Sequence, residues 1–240
     1  IRLSLVGSEM CIRDSRRAHR AAVVRLVAGG CGMTRRTPLI AALDAGTYYH
    51  DRTFQTPDLA PYFGRRIYLP ELDDAALADC DALIVSCRTH PDLLVAQRAR
   101  FARFLAAGKT LVAMGETASH RWLDGVQWTD CEVNFWWWKT PGADSGLRVA
   151  RPEHPLFAYL TLADATWHQH GTFTPPPGAV SLIDKAGAGS VLYEDTHSTP
   201  GRLIVTSLDP MYHHGSYFMP AASRFLRGFL PWLKDSTPAA

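Results

Sequence analysis

The sequence has no apolar run approaching the ~20 residues that a bilayer-crossing helix needs; its apolar stretches are strand-sized and stop at Gly, Pro or Asp. A membrane span is therefore excluded. Cysteines number five, without CxxC spacing, which excludes a disulfide framework and a structural zinc knuckle. No dense Lys/Arg stripe is present, so a nucleic-acid partner is not expected. Internal repeats and linkers are also missing. What is present is an ordinary soluble composition: 240 residues, 47% hydrophobic and 20% charged, with enough apolar material for a full core.

Residues 1–15, IRLSLVGSEMCIRDS, read as a translated sequencing adapter of the kind found at the ends of assembled metagenomic genes. Residues 16–32 read as translated GC-rich upstream DNA, and Met33 is the expected start of a single domain over 33–240. The rival reading is a twin-arginine export signal at Arg16 and Arg17 ending at Gly30-Cys31, but Arg25 interrupts its apolar stretch. Six arginines against Glu9 and Asp14 give 1–32 an excess of four positive charges, so the formal +2 becomes −2 from Met33 onward. Cys80, Cys87 and Cys131 remain, an odd count that fits a reducing cytoplasm. A cytoplasmic protein is expected.

From Met33, short apolar strands alternate with helical segments, the pattern of βαβ units and a mostly parallel sheet. Strands are expected at 38–43, 66–69, 82–86 and 110–114, with a helix over 92–107 stopped by Gly108. The second half is richer in strand and turn signals: 128–133, 165–174, 180–184, 190–194 and 202–208 read as strands, 155–160 as a helical turn. A closing helix over 221–233 presents Phe225, Phe229 and Leu233 at four-residue spacing.

Several segments together carry a family likeness: Asp81-Ala-Leu-Ile-Val, a polar loop, a helix ending in Ala-Gly108-Lys109, the strand TLVAMG, and GRLIVTSLDP before the last helix. In this layout the chain resembles the class I glutamine amidotransferase-like superfamily, ThuA-like (trehalose-utilisation) branch, over about residues 36–234. The resemblance implies an α/β, flavodoxin-like three-layer sandwich with helices on both faces. It also implies a Cys nucleophile after the strand TLVAM and His-Pro-Glu after LIVTSL; here those positions read Gly115 and Asp209-Pro210-Met211. Glutamine hydrolysis by the family mechanism is therefore not expected, and a hydrolase or other carbohydrate-related enzyme is what the branch implies instead.

Residues just past strand ends line the ligand crevice of open α/β sheets. Glu116 and Asp209 should converge there as two carboxylates suited to metal binding or acid–base work; the plainer readings are a helix cap and a turn before Pro210. His168 and His170 alternate on an expected strand, so both imidazoles would share a face and meet one divalent metal such as zinc, with His213 or His214 as third ligand. The plainer reading makes them hydrogen-bonded or surface histidines. Cys87, three residues before His90, reads as a displaced nucleophile with its base or as a small buried hydrophobe. Arg88 is placed to contact an anion or ligand. Tyr48, Tyr49 and the Trp136-Trp137-Trp138 run would stack on sugar rings or form an oligomer contact.

Two functions are expected on these grounds. One is a carbohydrate or small polar metabolite site using Glu116, Asp209, His168, His170 and His213 or His214. The other is a non-catalytic interaction or regulatory subunit whose crevice is vestigial.

Overall fold

The computed structural model describes residues 36–132, 135 and 139–239; the leader, Met33 and Trp136-Trp137-Trp138 lie outside the described residues. No helix among them is long and apolar enough to cross a membrane. Among the described residues, ten strands form one mixed sheet: β1 (Ile40–Asp44), β2 (Arg65–Tyr68), β3 (Ala82–Val85), β4 (Thr110–Ala113), β5 (Gln127–Asp130), β6 (Leu147–Val149), β7 (Gly171–Thr174), β8 (Val180–Lys185), β9 (Gly189–Asp195) and β10 (Arg202–Thr206). Their order is β2-β1-β3-β4-β10-β9-β7-β5, with β8 on β9 and β6 on β8. The pairs from β2 through β10 are parallel, and those from β9 outward are antiparallel.

The central strands β1, β3, β4 and β10 are apolar except at their ends because both faces of the sheet are covered. Ile40, Ala42, Ile84, Val112 and Ile204 pack on one side with α6 (Pro220–Ser236), Phe54 of α1 (Tyr48–Gln55) and Met211 of α5 (Pro210–Gly215). Their neighbours Ala41, Leu43, Leu83, Val85, Leu111 and Val205 pack on the other. That side is covered by α2 (Asp74–Leu77), α3 (Pro91–Val95) and α4 (Arg98–Ala106). The period-2 alternation of a strand thus supplies both layers of the sandwich at once.

Two expected elements differ. The helix expected over 92–107 is divided into α3 and α4, because Gln97 leaves helical geometry (φ −100, ψ 1) and its carbonyl accepts the N–H of Arg100 and Phe101, starting a second helix. The strand expected over 165–174 is regular only from Gly171. There a Cβ would lie 2.2 Å from the Trp128 ring, so glycine is what lets β7 pair closely with β5. Residues 166–170 instead leave the sheet as an irregular segment that brings Trp167, His168 and His170 over the strand ends.

Candidate active site

Because β3, β4 and β10 are parallel, the residues that follow them emerge at one edge. Backbone bonds continue past the strands: Arg88 N–H donates to Gly115 O (3.1 Å) and Gly115 N–H to Leu208 O (2.8 Å). Gly115 is glycine for packing. A Cβ there would lie 2.2 Å from Ser207 O, so Gly115→Ala should cost at least about 2 kcal/mol, read by urea denaturation; a loss under ~0.5 kcal/mol would contradict this packing.

Arg88 and Glu116, each just past a strand end, both have φ of 59°, in the left-handed region. For residues with a Cβ this conformation costs on the order of 1 kcal/mol, and it aims both side chains at each other. Arg88 Nη2 lies 2.7 Å from Glu116 Oε2 and 3.0 Å from Asp209 Oδ2, and its Nε donates to the same Asp209 oxygen at 3.0 Å. Its guanidinium stacks on Tyr212, 3.7 Å from the ring centre. The other Glu116 oxygen is 2.8 Å from His170 Nε2, off the line of the ring N–H, so the contact is an ion pair rather than a directed hydrogen bond. Contact with Glu116 raises the His170 pKa against partial burial.

Asp209 lies beneath this surface layer, 1% exposed. Trp167 Nε1 donates to its Oδ1 (3.1 Å), and His213 Nε2 approaches the same oxygen at 3.0 Å, again off-line. Burial alone would push the Asp209 carboxyl up; the contacts with His213, Arg88 and Trp167 outweigh it and hold the pKa below the usual carboxylate range. Its carboxylate is spent on these partners rather than on capping α5. His168 packs edge-on between His170 and His213, ring centres 5.4 and 4.9 Å away, and burial pushes its pKa down to about 4.

His168 is therefore neutral in the folded protein and takes up a proton on unfolding below about pH 6.5. Stability should fall as pH drops from about 6.5 to about 4 and gain no further loss from His168 below that. Discounted for partial exposure, the effect is on the order of 1–2 kcal/mol. His168→Gln should remove that part of the acid sensitivity in denaturation curves at pH 7 and 5; an unchanged difference between the two pH values would contradict it.

Other expected site residues are placed elsewhere. His214 turns away from His213 on α5, its nitrogens meeting Thr56 Oγ1 (2.9 Å) and Ser223 Oγ (2.8 Å), because successive helical side chains diverge. The metal set of His168, His170 and His214 is thus not assembled, and among the described residues no three His, Cys, Asp or Glu side chains are placed to share an ion. Cys87 is fully buried, its sulfur accepts the Tyr212 N–H at 3.3 Å, and burial pushes its thiol far above the ordinary value. His90 is exposed and caps α3 through Asp92 N–H, so the two make no nucleophile and base. Tyr48 is exposed, bonded to Ser216, and reaches Tyr212 only through Tyr49.

Beside the ion cluster opens a cavity of about 350 Å³, lined by Glu116, Thr117, His120, Trp128, Asp130, Phe173 and Thr206 among others. Two carboxylates face it and no Lys or Arg does. Residues 116–120, which follow β4, form one wall of it. Trp128 and Asp130 carry no local sequence signal; Trp167 and Tyr212 adjoin residues expected at the site but have no signal of their own.

No family model matches the chain, and no curated protein does. Among solved structures it is similar to a protein from Thermoplasma acidophilum described as part of a GMP synthase: TM-score 0.52, 12% identity, 82% of this chain and 94% of that one. It is also similar to a ThuA-like protein from Bacteroides uniformis (0.45, 11%, 88% and 98%) and to an exo-β-1,4-mannosidase from an Opitutaceae bacterium (0.46, 12%), covering 84% of this chain and 36% of that enzyme. At 12% identity the likeness to the Thermoplasma protein is one of architecture: the chain has a flavodoxin-like α/β fold, a mixed sheet with a parallel core between helical layers.

Proposed function

We propose that this protein is an enzyme without the amidotransferase Cys-His-Glu triad, and that it performs acid–base chemistry, hydrolysis foremost, on a small neutral hydroxyl-bearing metabolite such as a sugar. One observation carries the reading: Glu116 lines the cavity while its two oxygens meet Arg88 and His170. Carboxylates suit hydroxyls, which donate to them, and Trp128 adds an aromatic side chain to the lining. Arg88 and His170 offset Glu116, while Asp130 has no Lys or Arg among the residues lining the cavity, so this wall does not favour an anion.

Glu116, as carboxylate, takes a proton from water or a substrate hydroxyl. His170, as imidazolium, gives one to the departing oxygen. Glu116 then gives its proton to water and His170 takes one from water, restoring both groups, while their 2.8 Å ion pair holds them side by side. Arg88 offsets the charge of Glu116 and, anchored on buried Asp209, keeps it aimed. Cys87 takes no part.

Titration calorimetry of wild type and Trp128→Ala against neutral sugars and polyols tests the reading. Binding of at least one compound, weakened about tenfold or more in the variant, is expected. No binding by any compound would overturn it and favour a non-catalytic interaction protein.

A further inference from the structure

Among the described residues, Cys80 and Cys87 are fully buried, and burial pushes both thiols up, which makes them inert toward oxidants. Cys131 is only half-buried. It directly follows β5, and its N–H donates to His170 O (3.1 Å) just beyond the pairing of Asp130 with Gly171 of β7. Lys185 Nζ lies 3.3 Å from Cys131 Sγ. Lys185 ends β8 and is held on both sides, by pairing with Leu147 of β6 and Gly189 of β9. Among the described residues the sulfur is the one side-chain partner of its amine, and no carboxylate pairs with it. A thiol that small oxidants can reach and an amine with no other partner are therefore set side by side on fixed backbone.

We propose that Cys131 and Lys185 are a modification site, which peroxide joins into a sulfenamide cross-link beside the candidate active site. Peroxide first transfers one oxygen to the sulfur. The O–O bond breaks, an S–O bond forms, the sulfur gives up two electrons and water leaves, so the thiol becomes a sulfenic acid. The neutral Lys185 amine then attacks that sulfur. An S–N bond forms, the S–O bond breaks, and the hydroxyl leaves with an amine proton as a second water. The pair has then lost two hydrogens and the peroxide has become two waters. Two molecules of a small thiol reverse the link and end as their disulfide, restoring Cys131 and Lys185. A sulfenic acid without a neighbour goes on to sulfinic acid; here the amine is already at the sulfur, so interception is effectively unimolecular. Cys131 adjoins Asp130 of the cavity and is bonded to the backbone of His170, so the link ties the edge of the site to β8. The pair forms whatever chemistry the site performs.

The test treats the full chain with hydrogen peroxide at about pH 9, where more of any lysine amine is neutral, then blocks free thiols, digests without reductant and maps peptides by mass spectrometry. Wild type should yield a peptide pair joined through Cys131 and Lys185, two hydrogens lighter than the sum of its parts and separated by dithiothreitol. The pair should be absent in Cys131→Ser and in Lys185→Arg, and in Lys185→Arg Cys131 should accumulate as sulfinic acid instead. In denaturing urea the yield from wild type should fall about tenfold or more, because the placement of the amine is lost. Cys131 of wild type reaching sulfinic or sulfonic acid without a link, Cys131 remaining a free thiol, or an equal yield in urea would overturn the proposal.

Discussion

Asp209→Ala should destabilise the protein by roughly 3 kcal/mol in urea denaturation at pH 7, the largest stability loss expected from any single change at the site. The carboxylate is the buried anchor of the cluster: it holds Arg88 through two nitrogens and takes Trp167 Nε1–H, with His213 beside it. Removing it leaves the indole N–H and His213 without their partner and Arg88 with Glu116 alone, so the cost is of unmet polar groups rather than of a lost attraction. The pH dependence gives a second check. Asp209 has a folded pKa below its unfolded one, so its contribution is present above about pH 4 and fades as pH falls through the folded value. The gap between wild type and variant should narrow in acid. A loss under 1 kcal/mol, or a gap that widens in acid, would contradict the role of Asp209 as anchor.

Glu116→Gln should lower kcat/KM by about 10² to 10⁴, the range for a group that transfers a proton in the transition state. The amide keeps the size of the side chain but cannot take a proton, and only its one oxygen can still accept from Arg88 or His170. Ligand affinity should therefore change by less than about tenfold while turnover collapses. The partner reports on the same change. Glu116 is the first cause of the raised His170 pKa, so in the variant the His170 pKa should fall, read by NMR titration of the imidazole. Any stability that this raised pKa contributes is present below about pH 6.5 and lost as pH rises through the folded value, so the variant should lose that acid-side contribution. An unmoved His170 titration would separate the two residues and remove the proposed pair.

How much of this is readable in the chain depends on how local each cause is. The strands 82–86 and 110–114 announce themselves because both faces are buried and each holds a run of four apolar residues. The convergence of Glu116 and Asp209 follows from strand direction alone. Choosing between His213 and His214 needs the helix α5, hidden behind an Asp-Pro that reads equally well as a turn. His168 and His170 do adjoin, but on an irregular segment rather than through the alternation of a strand. Cys87 looks available because sequence does not display the packing that covers it. Trp128 and Asp130 sit on a short strand with no motif, and they matter only because β5 pairs with β7 beside the ends of β4 and β10.

The most direct test of the central claim, that Glu116 performs acid–base chemistry on a hydroxyl-bearing ligand, is depletion of a defined mixture of neutral sugars and glycosides followed by mass spectrometry. Wild type should consume at least one compound, Cys87→Ala should consume the same one, and Glu116→Gln should do so at least about 100-fold more slowly. No depletion by wild type, or equal depletion by wild type and Glu116→Gln, would contradict the account.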